Sequence, residues 1–96
     1  MLYAIHSIDK PGAAAVRQDN RPSHLAYLKA NAARVRLAGP YLSEDGQAMT
    51  GSLIVLEAAD LAAARAFAAA DPYAKAGLFA SVEVRPWRWL IGAPGA

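Results

Sequence analysis

The sequence predicts an α+β domain of ferredoxin-like βαββαβ order, with an antiparallel sheet and both helices on one face. Three observations carry this prediction. Leu2–Ile8 can form a strand with two distinct faces, and Val82–Trp89 alternates in the same period-two manner. Leu53-Ile54-Val55-Leu56 is a strongly strand-like run in the middle of the chain. Between these strands lie two segments whose apolar residues recur every three or four positions, as helices packed on a sheet require.

The first strand places Leu2, Ala4, His6 and Ile8 on one face and Tyr3, Ile5 and Ser7 on the other. Asp9-Lys10-Pro11-Gly12 reads as a turn or helix start, where Asp9 caps and Pro11 takes a first-turn position that needs no N–H. A short helix over Ala13–Gln18 is expected to break before Asp19-Asn20-Arg21, and a longer helix to begin at Pro22. In that second helix Leu25, Leu28 and Ala32 mark the core stripe, while His24, Tyr27 and Asn31 form an adjoining row. Val35–Leu42 is a strand interrupted by Gly39-Pro40, so a bulge, a bend or a sheet edge bordering a pocket is expected there.

Ser43–Gln47 is a polar hairpin connection, and Ala48–Ala58 the strand after it. Asp60 caps a helix over Leu61–Ala70, with Leu61, Ala64, Phe67 and Ala68 turned inward. Asp71-Pro72 ends this helix, because a residue before proline disfavours helical backbone. Tyr73–Gly77 forms one short turn, Phe79–Ile91 a long last strand, and Gly92–Ala96 a frayed tail. With Val82 and Val84 on the helix side, Glu83, Arg85, Trp87 and Trp89 fall on the open face. A monomer would expose that aromatic patch, so a homodimer through Trp87, Trp89 and His6 is expected. Arg85-Pro86-Trp87-Arg88-Trp89 also admits a reading as a nucleic-acid stripe, but the alternation favours packing.

At 96 residues the chain reads as one domain, 1–96, near the size where a partner chain adds useful stability. Of its apolar residues 24 are alanine, so the core must come from the few larger ones. The absence of cysteine excludes a disulfide framework, a thiolate zinc site and a cysteine nucleophile. Two histidines and scattered acids make no metal motif, and no cofactor is expected. The net charge of +2 is spread without a basic run, so no nucleic-acid partner is called for. Met1–Ile8 is too short for a signal peptide and nothing approaches a span of roughly 20 apolar residues, so a soluble, cytoplasmic protein with no membrane partner is expected.

Two stretches carry candidate chemistry. Arg21-Pro22-Ser23-His24-Leu25 opens the second helix with one of the two histidines, and Asp71-Pro72-Tyr73 places an acid at a helix end. A histidine held by a distant carboxylate is a common device for moving protons, because the carboxylate fixes the imidazole tautomer. In a first helical turn the dipole works against a positive ring, and a neighbouring carboxylate would oppose that.

These stretches, with Asp9-Lys10-Pro11-Gly12, Ala38-Gly39-Pro40, Gly51-Ser52, Ala76-Gly77 and Val84-Arg85-Pro86-Trp87, fall in an order that resembles the YciI-like (YCII-related) family over nearly the whole chain. The resemblance implies a dimeric α/β-barrel type of fold and a His–Asp pair in a pocket, carried by His24 and Asp71. It implies a small-molecule ligand, for which Arg21, Gly39, Pro40, Ser52 and Tyr73 are the candidate binding residues. Arg21 would meet an anionic group, Tyr73 would donate a hydrogen bond, and the backbone at Gly39 would approach the ligand closely. A few relatives act in small-molecule chemistry, including dehydrochlorination of a chlorinated hydroxyhydroquinone. Two functions follow: an enzyme using His24 and Asp71 for proton transfer or elimination, or a non-catalytic ligand-binding or accessory domain. A third possibility is that the pair only staples two helices together.

Overall fold

The structure, a computed structural model, describes residues 1–94. Its elements are β1 (Leu2–Asp9), α1 (Ala14–Ala30), β2 (Val35–Leu42), β3 (Met49–Glu57), α2 (Leu61–Ala70), α3 (Pro72–Lys75) and β4 (Phe79–Trp87). The four strands form one antiparallel sheet in the order β2-β3-β1-β4. This is the α+β arrangement expected from the element order. Among the described residues no helix is long and apolar enough to cross a membrane.

The register explains where the core lies. Tyr3 pairs with Leu56 and Ile5 with Ile54, and these four side chains are buried beneath α2 with Ala64, Phe67 and Ala68. Further along the same face Ser7 stands opposite Ser52, so the core gives way to polar residues at one end of the sheet. Alternate residues face the other way. There His6 meets Tyr41 through a hydrogen-bonding contact of 2.8 Å between Nδ1 and Oη, and Trp87 lies 5.6 Å from Trp89. Trp87 stays 39% exposed, so the open face of the sheet retains aromatic surface.

Several expectations are corrected. The first helix does not break before Asp19: it runs from Ala14 through Pro22 to Ala30. Pro22 lacks the N–H that would bond the Gln18 carbonyl, but both residues are exposed and water can take the freed acceptor. The helix also starts too late for Asp9 to cap it. Asp9 instead ends β1 and pairs with Arg17. His24 consequently stands mid-helix, beyond the reach of the helix-end dipole.

The inward row of α1 is likewise different from the expected one. Leu25 is 42% exposed and Ala32 is exposed, whereas Arg17 and His24 are buried and Tyr27 and Asn31 half-buried. The last strand stops at Trp87 because Trp87 pairs with Leu2, where β1 begins, leaving no partner for residues beyond. Leu90 and Ile91 are exposed and outside the sheet. Of the expected tail, 92–94 form no helix or strand and 95–96 lie outside the described residues.

β2 is an edge strand, as Gly39-Pro40 suggested. Its register shifts lie between Val35 and Leu37 and between Tyr41 and Leu42, and not at Pro40. Within β3, Gly51 admits no side chain, since a Cβ there would run into the Ser7 carbonyl oxygen.

Asp60 accepts from the Ala63 N–H and caps α2, as expected. At the other end the Phe67 carbonyl, one of the last four of that helix, accepts from the Tyr27 hydroxyl at 2.8 Å and ties α1 to α2. Tyr27→Phe is expected to cost about 1 kcal/mol in urea unfolding, the usual net value of such a bond. Burial, with Asp71 behind it, raises the Tyr27 phenol above its ordinary value of 10.0. Its contribution is therefore present in full below pH 10 and is lost as pH climbs through the folded value, so the variant should lose less stability than the parent under alkali.

Candidate active site

At the polar end of the sheet, α1, β2, β3 and α3 converge on a cavity of about 130 Å³. The helix supplies Arg17, Arg21, His24, Leu25 and Leu28 at intervals that keep them on one side of α1. β2 supplies Ala38, Gly39 and Pro40; β3 supplies Met49, Ser52 and Ile54; α3 supplies Tyr73. A Cβ built on Gly39 would meet nothing within 4 Å, so the space beside this glycine is open. A larger groove, about 640 Å³, runs between α2 and β4. None of the residues singled out in the sequence as candidate site residues lines it.

Asp71 sits at the junction of α2 and α3 and is 3% exposed. Its Oδ1 accepts from the Tyr73 N–H at 2.9 Å, which caps α3, and lies 2.8 Å from Nδ1 of His24. An ionised carboxylate only accepts, so with Asp71 ionised Nδ1 carries the proton, and in the neutral ring Nε2 keeps its lone pair. No buried side-chain nitrogen or oxygen among the described residues lacks a partner, and His24 lines the cavity, so Nε2 faces accessible space.

The Tyr73 ring stacks on the His24 ring at 4.0 Å, inclined by 16°. The Arg17 guanidinium also lies over it, 4.7 Å from its centre. Arg17 and His24 hang from one helix about 10 Å apart along its axis, so the phenol ring stands between them. Burial pushes the Tyr73 phenol above its ordinary value, against a downward pull from Arg17 and Arg21. Buried at 6% exposure, Arg17 donates from Nε and Nη2 to the two oxygens of Asp9 at 2.7 and 2.9 Å. Nη2 also donates to the Gly51 carbonyl and to Ser52 Oγ. Desolvation works against this cation, but the Asp9 carboxylate and the Tyr73 phenol together outweigh it, and the guanidinium is held above its ordinary range.

The structure thus brings His24, Arg21, Gly39, Pro40, Ser52 and Tyr73 to one cavity and sets Asp71 behind His24. Sequence reasoning missed Arg17 and Asp9. The signal was present in the seven-residue interval between Arg17 and His24, which the expected break at Asp19 concealed. Among the described residues no group of three or more His, Cys, Asp or Glu side chains could hold a metal ion.

Comparison with known proteins is consistent across sequence and fold. Residues 1–88 match the model of the YCII-related domain. Protein YciI of Escherichia coli is 38% identical over 95 aligned positions, covering 92% of this chain and 97% of that protein. An uncharacterized protein of Haemophilus influenzae matches at the same identity and coverage. The solved structure of 5-chloro-2-hydroxyhydroquinone dehydrochlorinase (TftG) from Burkholderia phenoliruptrix, a complex with 2,5-dihydroxybenzoquinone, superimposes with a TM-score of 0.84 at 40% identity. That alignment covers 92% of this chain and 94% of the other.

Proposed function

The chain belongs to the YCII-related family, and from that footing we propose that it is a small-molecule enzyme in which His24 is a general base oriented by Asp71. The observation that carries this reading is the buried 2.8 Å contact between Nδ1 and Oδ1, which leaves Nε2 toward the cavity. Nε2 takes a proton from carbon or oxygen of the ligand, and the imidazolium so formed stays paired with Asp71. Dehydrochlorination, the activity named for TftG, removes a proton and a chloride and so asks for one base. Elimination of this kind, or simple proton transfer, is the reaction class proposed here. Arg21, Ser52, Tyr73 and the backbone at Gly39 and Pro40 hold the ligand.

Asp71→Asn tests this reading. The amide oxygen can still accept from the Tyr73 N–H, so α3 keeps its cap and the melting point should move little. The same Oδ1 meets Nδ1, so the amide oxygen also still accepts from that N–H but lacks the charge that would stabilise the imidazolium. Proton exchange from enolisable one-ring compounds in deuterated water should slow by about 10² to 10⁴. A variant that changes ligand affinity, where the parent shows no exchange, marks a binding module instead. Loss of stability with proton exchange unchanged marks a structural staple.

The reading includes a homodimer formed through the open face of the sheet, with Trp87, Trp89 and His6 at the contact. The exposed Trp87 and the half-buried His6–Tyr41 pair on that face support it. Sedimentation equilibrium should give twice the mass of the 10.1 kDa chain, and Trp87→Glu should lower it toward one chain. A parent protein that stays monomeric up to millimolar concentration would end this part of the reading.

A further inference from the structure

Tyr41 stands on the edge strand β2, yet its hydroxyl reaches His6 on β1 although β3 runs between the two. Gly51 makes this reach possible. It pairs with Tyr41 in the register and leaves bare the place where a Cβ would lie 3.0 Å from Tyr41 Cδ2. The phenol ring therefore crosses β3 on the open face and meets the imidazole edge on, with 5.1 Å between centres and 63° between planes. Neither residue lines the His24 cavity.

The surroundings of His6 are mainly apolar. Leu53 on β3 and Glu83 on β4 stand in register with it, and Ala4 and Ile8 flank it along its own strand. The ionisable groups that face it are Tyr41 from β2 and Glu83 and Arg85 from β4. Beside it β3 offers only Gly51, Leu53 and Val55, and Glu57 at the far end of that strand is taken by the N-terminal amine. Glu83 accepts from Arg85 Nε at 2.9 Å, so these two form a rim pair without net charge. Tyr41 serves either form of the ring, because its hydroxyl donates to Nδ1 of neutral imidazole and accepts from Nδ1–H of imidazolium. Hydration therefore decides which form is favoured: a cation is stable while water reaches the ring and costly once a second sheet covers it.

Ile8, Leu37 and Trp87 on the same face remain more than a third exposed. A second copy fits this surface, since Glu83 and Arg85 set both signs side by side and a two-fold axis can bring each against its opposite. We propose that His6 makes the association of two copies through this face sensitive to protons, the sheets packing on neutral imidazole and separating when the ring is protonated. This rests on the homodimer reading. Packing withdraws water from the ring, and the Glu83–Arg85 pair supplies no uncompensated negative charge in its place. The covered ring thus holds a proton less readily than the open one. Symmetry repeats it in each copy, so dissociation takes up as many as two protons per dimer. The contribution is present in full above the range where imidazole ordinarily titrates, about 6.5, and is lost as pH falls through it.

Sedimentation equilibrium at several pH values reads the effect. From about pH 7.5 to about pH 5.5 the dissociation constant of the dimer should rise about a hundredfold, a factor of about ten for each ring. His6→Phe keeps a ring beside Tyr41 that takes no proton, and its constant should change by less than about threefold over the same range. Calorimetric dilution of the parent at about pH 6, in buffers of different ionisation enthalpy, counts the protons directly, and between about one and two per dimer are expected. A constant that ignores pH, a dimer that tightens in acid, or a His6→Phe dimer as sensitive as the parent each overturns the proposal and leaves the homodimer standing. A count near zero does the same, and it decides the matter if the variant fails to fold. A parent that is monomeric at every pH removes the homodimer and the proposal together. Dissociation that coincides with loss of the helical circular-dichroism signal is acid unfolding, and it too overturns the role given to His6.

Discussion

Arg17→Met is expected to destabilise the protein by about 3–5 kcal/mol, because it strands the Asp9 carboxylate in a site from which water is largely excluded. The side chains of Arg17 and Asp9 are only 7% and 9% exposed. The loss has three parts: two charge-assisted bonds to Asp9, the bond to the Gly51 carbonyl, and the bond to Ser52. Met fills similar volume but supplies no donor. Against a total stability of about 5–15 kcal/mol, and at about 4–8 °C per kcal/mol for a domain this small, the midpoint should fall by roughly 10–40 °C. Urea melts of Arg17→Met, Asp9→Leu and the double variant would check the cause. The double variant should be more stable than Arg17→Met alone, since it removes the uncompensated charge. Equal stability would locate the loss in Gly51 and Ser52 instead.

His24→Gln is the substitution expected to affect catalysis most. Proton exchange should fall by about 10² to 10⁴, the usual contribution of a positioned base. Glutamine can still donate to Asp71, so the carboxylate keeps a partner and the fold should survive. The discriminating measurement is exchange at several pH values alongside a melt of the same sample. A fall in rate that merely tracks a fall in folded fraction would remove His24 from the chemistry.

How far the chain could be read in advance depended on the kind of signal each segment carries. β1, β3 and α2 were legible because their apolar residues are large or regularly spaced, and because Asp60 is an ordinary capping residue before an alanine-rich run. The middle of α1 was not. Asp19-Asn20-Arg21-Pro22 has the composition of a break, and only tertiary packing of Arg17 and His24 on either side carries the helix through it. Leu25 misled for the same reason: it follows the cavity-facing side of α1 and not the core-facing side. The end of β4 is set by where β1 begins, a fact about pairing that Trp89-Leu90-Ile91 cannot express locally.

The candidate site divides similarly. His24 and Asp71 lie 47 positions apart, and nothing in spacing alone joins them. The family resemblance joined them in the reading, and the fold sets them 2.8 Å apart. Arg17 and Asp9 escaped because their pairing depends on β1 leading, five residues after Asp9, into a helix that has no side-chain cap of its own.

The position of Asp71 limits where the chain length can vary. One oxygen fixes the joint between α2 and α3 and also reaches across to α1, so inserting or deleting a residue at that joint would rotate the carboxylate away from His24. The hairpin at 43–48 carries no such obligation. It is held by its own bonds, from Ser43 Oγ to Asp45 and from the Ala48 N–H back to Ser43, and it leads directly to Met49 on the cavity wall. Chains of this architecture can therefore lengthen that hairpin over the cavity mouth, altering which molecules enter without disturbing the groups that would act on them.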